Sequence, residues 1–207
     1  NSGADRRWLV YSDGSALASR LAKRLEGTVV VVTNGPEFKK IDERRWNVDF
    51  AGSPRSSSQH QQLLDELREG GFQPTDVVYC CGLDGVLATL GKRMMQKDLE
   101  QSLRAAFFVP TFIVRSLGRM GDPVNFSVVT RELAQVDDEA VDPLRAMLVG
   151  PVLVAPRETP QIKTRCIDVG RLWLGRTSRQ AERAVLDELS ATPANRLVAL
   201  RGTSRWV

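Results

Sequence analysis

Apolar runs alternate with amphipathic stretches along most of this chain. The first run, Trp8-Leu9-Val10-Tyr11, enters a polar turn, Ser12-Asp13-Gly14-Ser15, and a helical pattern follows with Leu17, Leu21 and Leu25 on one face. Thr28-Val29-Val30-Val31-Val32-Thr33 is a continuous β-branched run, typical of a parallel strand covered on both faces, and Asn34-Gly35-Pro36 stops it. Trp46-Asn47-Val48-Asp49-Phe50 predicts a short strand by its alternation. Gly52 to Ser58 reads as a polar loop leading into a helix, with Leu63, Leu64 and Leu67 on the buried face and Gly70-Gly71 at its end.

Asp76 to Cys81 is the next buried strand, closed by Gly82. A helical stretch from about Leu99 to Gly118 carries Leu103, Phe107, Phe108, Ile113 and Leu117, and Pro110 should kink it or start a new helix. Val124 to Thr130 predicts a fourth strand, and Gln135 to Asp142 an acidic surface segment. Between Ala146 and Pro160 the prolines are expected to leave a turn, a short apolar piece and another turn. Ile162 to Val169 predicts a strand, Thr177 to Ser190 a helix with Ala184, Val185 and Leu189 inward, and Leu197 to Arg201 a final strand. Gly202 to Val207 reads as the start of a further segment. Strands and helices alternating at short spacing imply an α/β fold, a mostly parallel sheet with helices on both faces. Residues 1–207 read as one domain, the first few as an appended tail, with ends that suggest a piece of a longer polypeptide.

Composition narrows the classes. The 207 residues are 42% hydrophobic and 26% charged, as expected of a globular domain that buries a core. No apolar run approaches the roughly 18 residues that cross a bilayer, and NSGADRR lacks the apolar centre of a signal peptide. The net charge is +4 and the pI near 9.2, but the arginines are spread along the chain among acids, which argues against nucleic acid as a partner. Cys80, Cys81 and Cys166 fit neither a disulfide framework nor metal-ligand spacing, so reduced core residues and a cytoplasmic location are expected.

Candidate chemistry is thin. A dinucleotide-binding turn of the G-x-G-x-x-G type uses its glycines for a tight turn and close approach to the pyrophosphate. Here Gly14 stands alone, and Asp13 places negative charge where phosphates would lie. The second strand ends without an acid for a ribose, and Lys39 and Lys40 beyond it read as surface lysines. Short-chain reductases pair a tyrosine with a lysine four residues on, which lowers the phenol's pKa. Ser15 follows Tyr11 at that spacing and Leu83 follows Tyr79, so neither makes the pair, and Tyr79 reads as core. His60, among Ser58, Gln59, Gln61 and Gln62, is expected to be a solvated surface residue. No serine lies in a G-x-S-x-G elbow. Asp137-Asp138-Glu139 reads as a solvated run, and Arg157-Glu158 as a buried or interfacial ion pair. No catalytic, cofactor-binding or metal-ligating residue is assigned.

Three stretches carry a more specific signal. Ala146 to Val169, AMLVGPVLVAPRETPQIKTRCIDV, resembles the "LLGP…IPQEYP-x-I-x-CRSIDV" segment of ketoreductase regions in modular polyketide synthases. Leu197 to Val207, LVALRGTSRWV, resembles the "VAYR-G-x-RWV" ending of the N-terminal half of that region, and Trp8 to Asp13 its "WLVFAD" opening. Ala155, Arg157 and Thr159 depart from the commoner residues. The resemblance implies a truncated Rossmann-like, short-chain dehydrogenase-like fold: the structural half of a ketoreductase, related to the pseudo-ketoreductase half of fatty acid synthase. That half lacks the glycine fingerprint and binds no NADPH. The downstream catalytic half carries the cofactor and the serine, tyrosine and lysine that reduce β-ketoacyl groups held on an acyl carrier protein. Implied partners are that half, neighbouring synthase domains and the carrier protein of a homodimeric parent, with no nucleic acid and no membrane. Two alternatives stand beside this reading. One is a pseudo-ketoreductase scaffold next to a methyltransferase or enoylreductase with no reductase partner; the other is a reductase fragment that completes a site with residues from the missing half.

Overall fold

The computed structural model describes residues 5–50, 53–83, 96–170 and 178–207. The tail residues 1–4, Gly52 and Thr177 lie outside the described residues. The chain runs through β1 (Arg7–Ser12), α1 (Ala16–Arg24), β2 (Thr28–Asn34), a hairpin of β3 (Lys39–Asp42) and β4 (Arg45–Val48), α2 (Pro54–Glu69) and β5 (Asp76–Cys80). Next, α3 (Gln96–Leu103) continues through a π-helical turn (Arg104–Phe108) into α4 (Val109–Met120). β6 (Val124–Arg131), α5 (Pro143–Ala146), α6 (Val149–Glu158), β7 (Ile162–Val169), α7 (Ser178–Ser190), β8 (Leu197–Arg201) and β9 (Ser204–Trp206) follow.

The described strands form one nine-stranded sheet in the order β3-β4-β2-β1-β5-β6-β7-β8-β9. Neighbours from β4 to β8 pair in parallel, while β3 and β9 close the two edges antiparallel. Side chains alternate across this sheet. Leu9 and Tyr11 of β1 join a core with Leu63, Leu64 and Leu67 of α2, Ile113 and Leu117 of α4, and Val152 of α6. Trp8 and Val10 join a second core with Leu17 and Leu21 of α1 and Val185 and Leu189 of α7. The α/β architecture expected from the alternating pattern is therefore present. In β2, Val30 and Val32 are buried, but Val29 and Val31 are only partly covered, so one face is less enclosed than the β-branched run suggests.

Local chemistry explains where the helices differ from the sequence expectation. Ser53 accepts the Ser56 N–H and Pro54 occupies the first turn, where its missing N–H has no helical partner to lose. The helix therefore includes the Pro54–Ser58 stretch that polarity alone reads as loop. The segment between Ala146 and Pro160 is likewise not a turn and a short apolar piece but mostly helix α6. Pro156 inside α6 leaves the Val152 carbonyl without an N–H four residues on, and the Thr164 hydroxyl of β7 donates to that carbonyl instead. Pro110 does begin a new helix: the Val109 N–H reaches back five residues to the Arg104 carbonyl, widening the turn into a π-helix. The next rung would join residue 110 to the Ala105 carbonyl, and the Tyr79 hydroxyl supplies that hydrogen bond at 2.7 Å. Beyond β8, the further segment turns back as the edge strand β9.

Candidate functional site

Strand order reverses between β1 and β5, and in open α/β sheets the crevice outside the carboxyl ends at such a point is the usual ligand site. One wall is the Ser12-Asp13-Gly14-Ser15 turn. Gly14 has φ +82°, a left-handed conformation that glycine adopts without strain. Ser15 caps α1 by accepting the Ala18 N–H at 3.1 Å. One oxygen of Asp13 accepts the Ser15 N–H at 3.0 Å, and the other accepts the Leu83 N–H, just beyond β5, at 2.8 Å. The carboxylate therefore bridges the two strand ends. At the end of β2, Asn34 Oδ1 accepts the Phe50 N–H, and the Thr33 hydroxyl bonds Asn47 Oδ1.

The other residues weighed from the sequence are dispersed. Tyr79 is core, as expected, and burial pushes its phenol up. Tyr11 is buried as well, with burial again raising the pKa. His60 is the clearest correction. It is not a surface residue but 0% exposed, its ring 5.6 Å from Tyr11, 6.1 Å from Phe50 and 6.4 Å from Phe112. Burial lowers its pKa from 6.5 to about 3, so the imidazole is neutral at physiological pH. A signal for this was present, since His60 continues the stripe of Leu63, Leu64 and Leu67 one turn back along α2. Lys40 pairs with Glu43 and lies over the Trp46 ring. The three cysteines are buried and unpaired, burial raising Cys81 and Cys166 to about 12.

The acidic segment after β6 is less solvated than its charge suggests. Asp137 and Asp138 are exposed, but Asp142 is buried and Arg145, 0% exposed, lies 3.3 Å from it and 3.4 Å from Glu132. Glu139 pairs with Arg201, whose other arm reaches Asp168 at 2.7 Å. Asp168 also accepts the Leu133 and Ala134 N–H groups; burial pushes its carboxyl up against the pull of these partners. Arg157 and Glu158 are both exposed on the last turn of α6, so they are not a buried ion pair.

Sequence reasoning missed a groove of about 560 Å³ between α4 and α6, lined by Phe107, Val114, Val154 and Ala155, with Arg115 and Glu158 also in its walls. Phe107 (39%), Phe108 (42%), Leu153 (40%) and Val154 (45%) are exposed on or beside it. The apolar circumference around Phe107 and Phe108 was visible in the sequence, but it faces outward rather than into the core. Contiguous exposed apolar surface of this kind marks interaction sites.

No protein-family profile matches the chain, and no curated protein matches it. Among solved structures, one titled "Adenylation, ketoreductase, and pseudo Asub multidomain structure of a keto acid-selecting NRPS module" is 19% identical, with a TM-score of 0.80 over 100% of this chain and 17% of that one. An N-terminal ketoreductase from the macrolactin assembly line is 14% identical, TM-score 0.66, over 96% of this chain and 39% of that one. A short-chain dehydrogenase from Mycobacterium smegmatis is 14% identical, TM-score 0.67, over 99% and 95% of the two chains. The fold is that of the short-chain dehydrogenases. This chain spans less than half the length of the first two of these structures. On this fold, Asp13 at the switch point links the Ser15 N–H of the turn to the Leu83 N–H beyond β5.

Proposed function

We propose that this chain is the noncatalytic structural half of a ketoreductase in an assembly-line synthase, a polyketide synthase by its sequence resemblance. Its role is to buttress an NADPH-dependent catalytic half that reduces β-ketoacyl groups delivered by a carrier protein. The observation that carries this reading is the Asp13 carboxylate holding the Ser15 and Leu83 N–H groups across the switch point. A dinucleotide pyrophosphate needs free amides at a helix N-terminus and an unhindered, neutral approach, whereas Asp13 sets a carboxylate on the turn leading into α1 and engages its Ser15 N–H. Here the anion is already supplied from within, so the residues present do not fit a dinucleotide at this turn. Tyr79 is similarly engaged, its hydroxyl completing the π-helical turn.

The apolar groove between α4 and α6 supports the docking half of the proposal. Burying Phe107, Phe108, Leu153 and Val154 against a partner would remove apolar surface from water, the dominant favourable term in association. Co-expressed with the catalytic half as a separate polypeptide, this chain is expected to copurify with it. A variant carrying Phe107→Glu and Val154→Glu, both at exposed positions, should fold normally and lose that association. Retained association in that variant would overturn the docking assignment. NADPH added to the chain alone should give no saturable enhancement of nicotinamide fluorescence; such an enhancement would overturn the noncatalytic assignment.

A further inference from the structure

Helices α1 and α7 lie side by side on the sheet face opposite the α4–α6 groove. Glu182 of α7 is 2% exposed, and each of its oxygens is 2.9 Å from one arginine of α1, Arg20 on one side and Arg24 on the other. That carboxylate is therefore ion-paired with two guanidinium groups. Beside it is a depression of about 730 Å³ whose described walls are Arg24, Arg179, Gln180 and Arg183. Among the described residues no carboxylate pairs with Arg179 or Arg183. They stand four apart on α7, a like-charge spacing that disfavours the helix. Arg179 and Arg183 add two exposed guanidinium groups beside the Arg24–Glu182 pair, a local surplus of positive charge that an external anion would offset.

We propose that this depression binds a phosphate group. Glu182 places one carboxylate between two arginines and leaves the guanidinium groups of Arg179 and Arg183 outside that pairing. A phosphate offers a further acceptor oxygen and a second negative charge, matching the guanidinium forks of Arg24, Arg179 and Arg183 together with the Gln180 amide. The buried Glu182 holds Arg24 in place at the wall of the site, so part of the ordering cost is met before the ligand arrives. This site goes beyond the docking role and shares no residue with the groove or the Asp13 turn.

Melting of the intact chain tests it, with inorganic tripolyphosphate, ADP or sulfate added at matched ionic strength. Tripolyphosphate is expected to raise the Tm saturably, well beyond sulfate. The Arg179→Ala, Arg183→Ala double variant, altered only at exposed positions, should melt no lower than the parent without ligand and bind at least about tenfold more weakly. ADP binding as tightly as tripolyphosphate assigns the site to phosphate esters, and tripolyphosphate binding alone assigns it to inorganic polyphosphate. Equal stabilisation by sulfate, or undiminished binding by the double variant, would overturn the proposal. Because neither substitution touches α4, α6 or Asp13, copurification with the catalytic half stays a separate readout.

Discussion

Replacing His60 with phenylalanine should make the folded chain less sensitive to acid. The imidazole lies among Tyr11, Phe50 and Phe112, fully buried, and desolvation holds its pKa near 3 against 6.5 for the free side chain. Between those two values the unfolded chain binds a proton that the native state refuses. Stability from this group is therefore complete above pH 6.5 and falls as pH drops, with a limiting slope of about 1.4 kcal/mol per pH unit. From pH 7 to pH 5 the loss amounts to about 2 kcal/mol, and it levels off only near pH 3. Urea unfolding of parent and His60→Phe at pH 7, 6 and 5, followed by circular dichroism, isolates this contribution, because carboxylates such as Asp168 titrate in both proteins. The stability difference should move by about 2 kcal/mol in favour of the variant between pH 7 and pH 5. A difference that stays constant across that range would mean that the ring titrates normally, and the buried, neutral assignment would fail.

Three further outcomes follow from other buried contacts. Thr164→Val removes the donor to the Val152 carbonyl and should destabilise by about 1–3 kcal/mol in urea unfolding; in a Pro156→Ala background, where residue 156 regains its N–H, the same change should cost less. Asp13→Ala leaves the Leu83 and Ser15 N–H groups without their acceptor, which should lower stability by about 1–3 kcal/mol and accelerate hydrogen exchange at Leu83. Arg145→Met removes the buried cation beside Glu132 and Asp142, and a loss of about 3–5 kcal/mol is expected from denaturant melts.

How much of the fold was legible depended on what each segment buries. β5, with every residue buried, is readable as an apolar run because both its faces are covered, whereas β7 is readable from its alternation although Arg165 and Asp168 are buried in it as well. The edge strands β3 and β9 are exposed along their length, so no apolar period marks them. Trp206 pairs with Ala199 through a hairpin whose only local sign is Gly202, with φ +54°. The first turn of α2 is not legible in the sequence, since a run of serines and glutamines hides the fact that Ser56, Gln59 and His60 face inward. Ser56 and Gln59 are satisfied there by the Asp49 backbone, a contact that polarity alone cannot forecast.

The prolines show why the remainder was out of reach. Read locally, Pro156 ends a helix, because the ring removes a hydrogen bond and an unmet carbonyl is costly in the interior. In the fold, the hydroxyl of Thr164, on a strand packed beneath α6, meets that carbonyl, and the helix continues. Pro110 is answered in the same way from Tyr79. The second case bears on function. A tyrosine on this fold attracts attention as a proton donor, yet Tyr79 is engaged in completing a helix whose π-turn turns Phe107 and Phe108 toward solvent. The absence of a Tyr-x-x-x-Lys pair and the outward apolar face were separate readings in the sequence. The structure joins them through one hydroxyl: the group that would be sought for chemistry instead helps shape the surface proposed for docking.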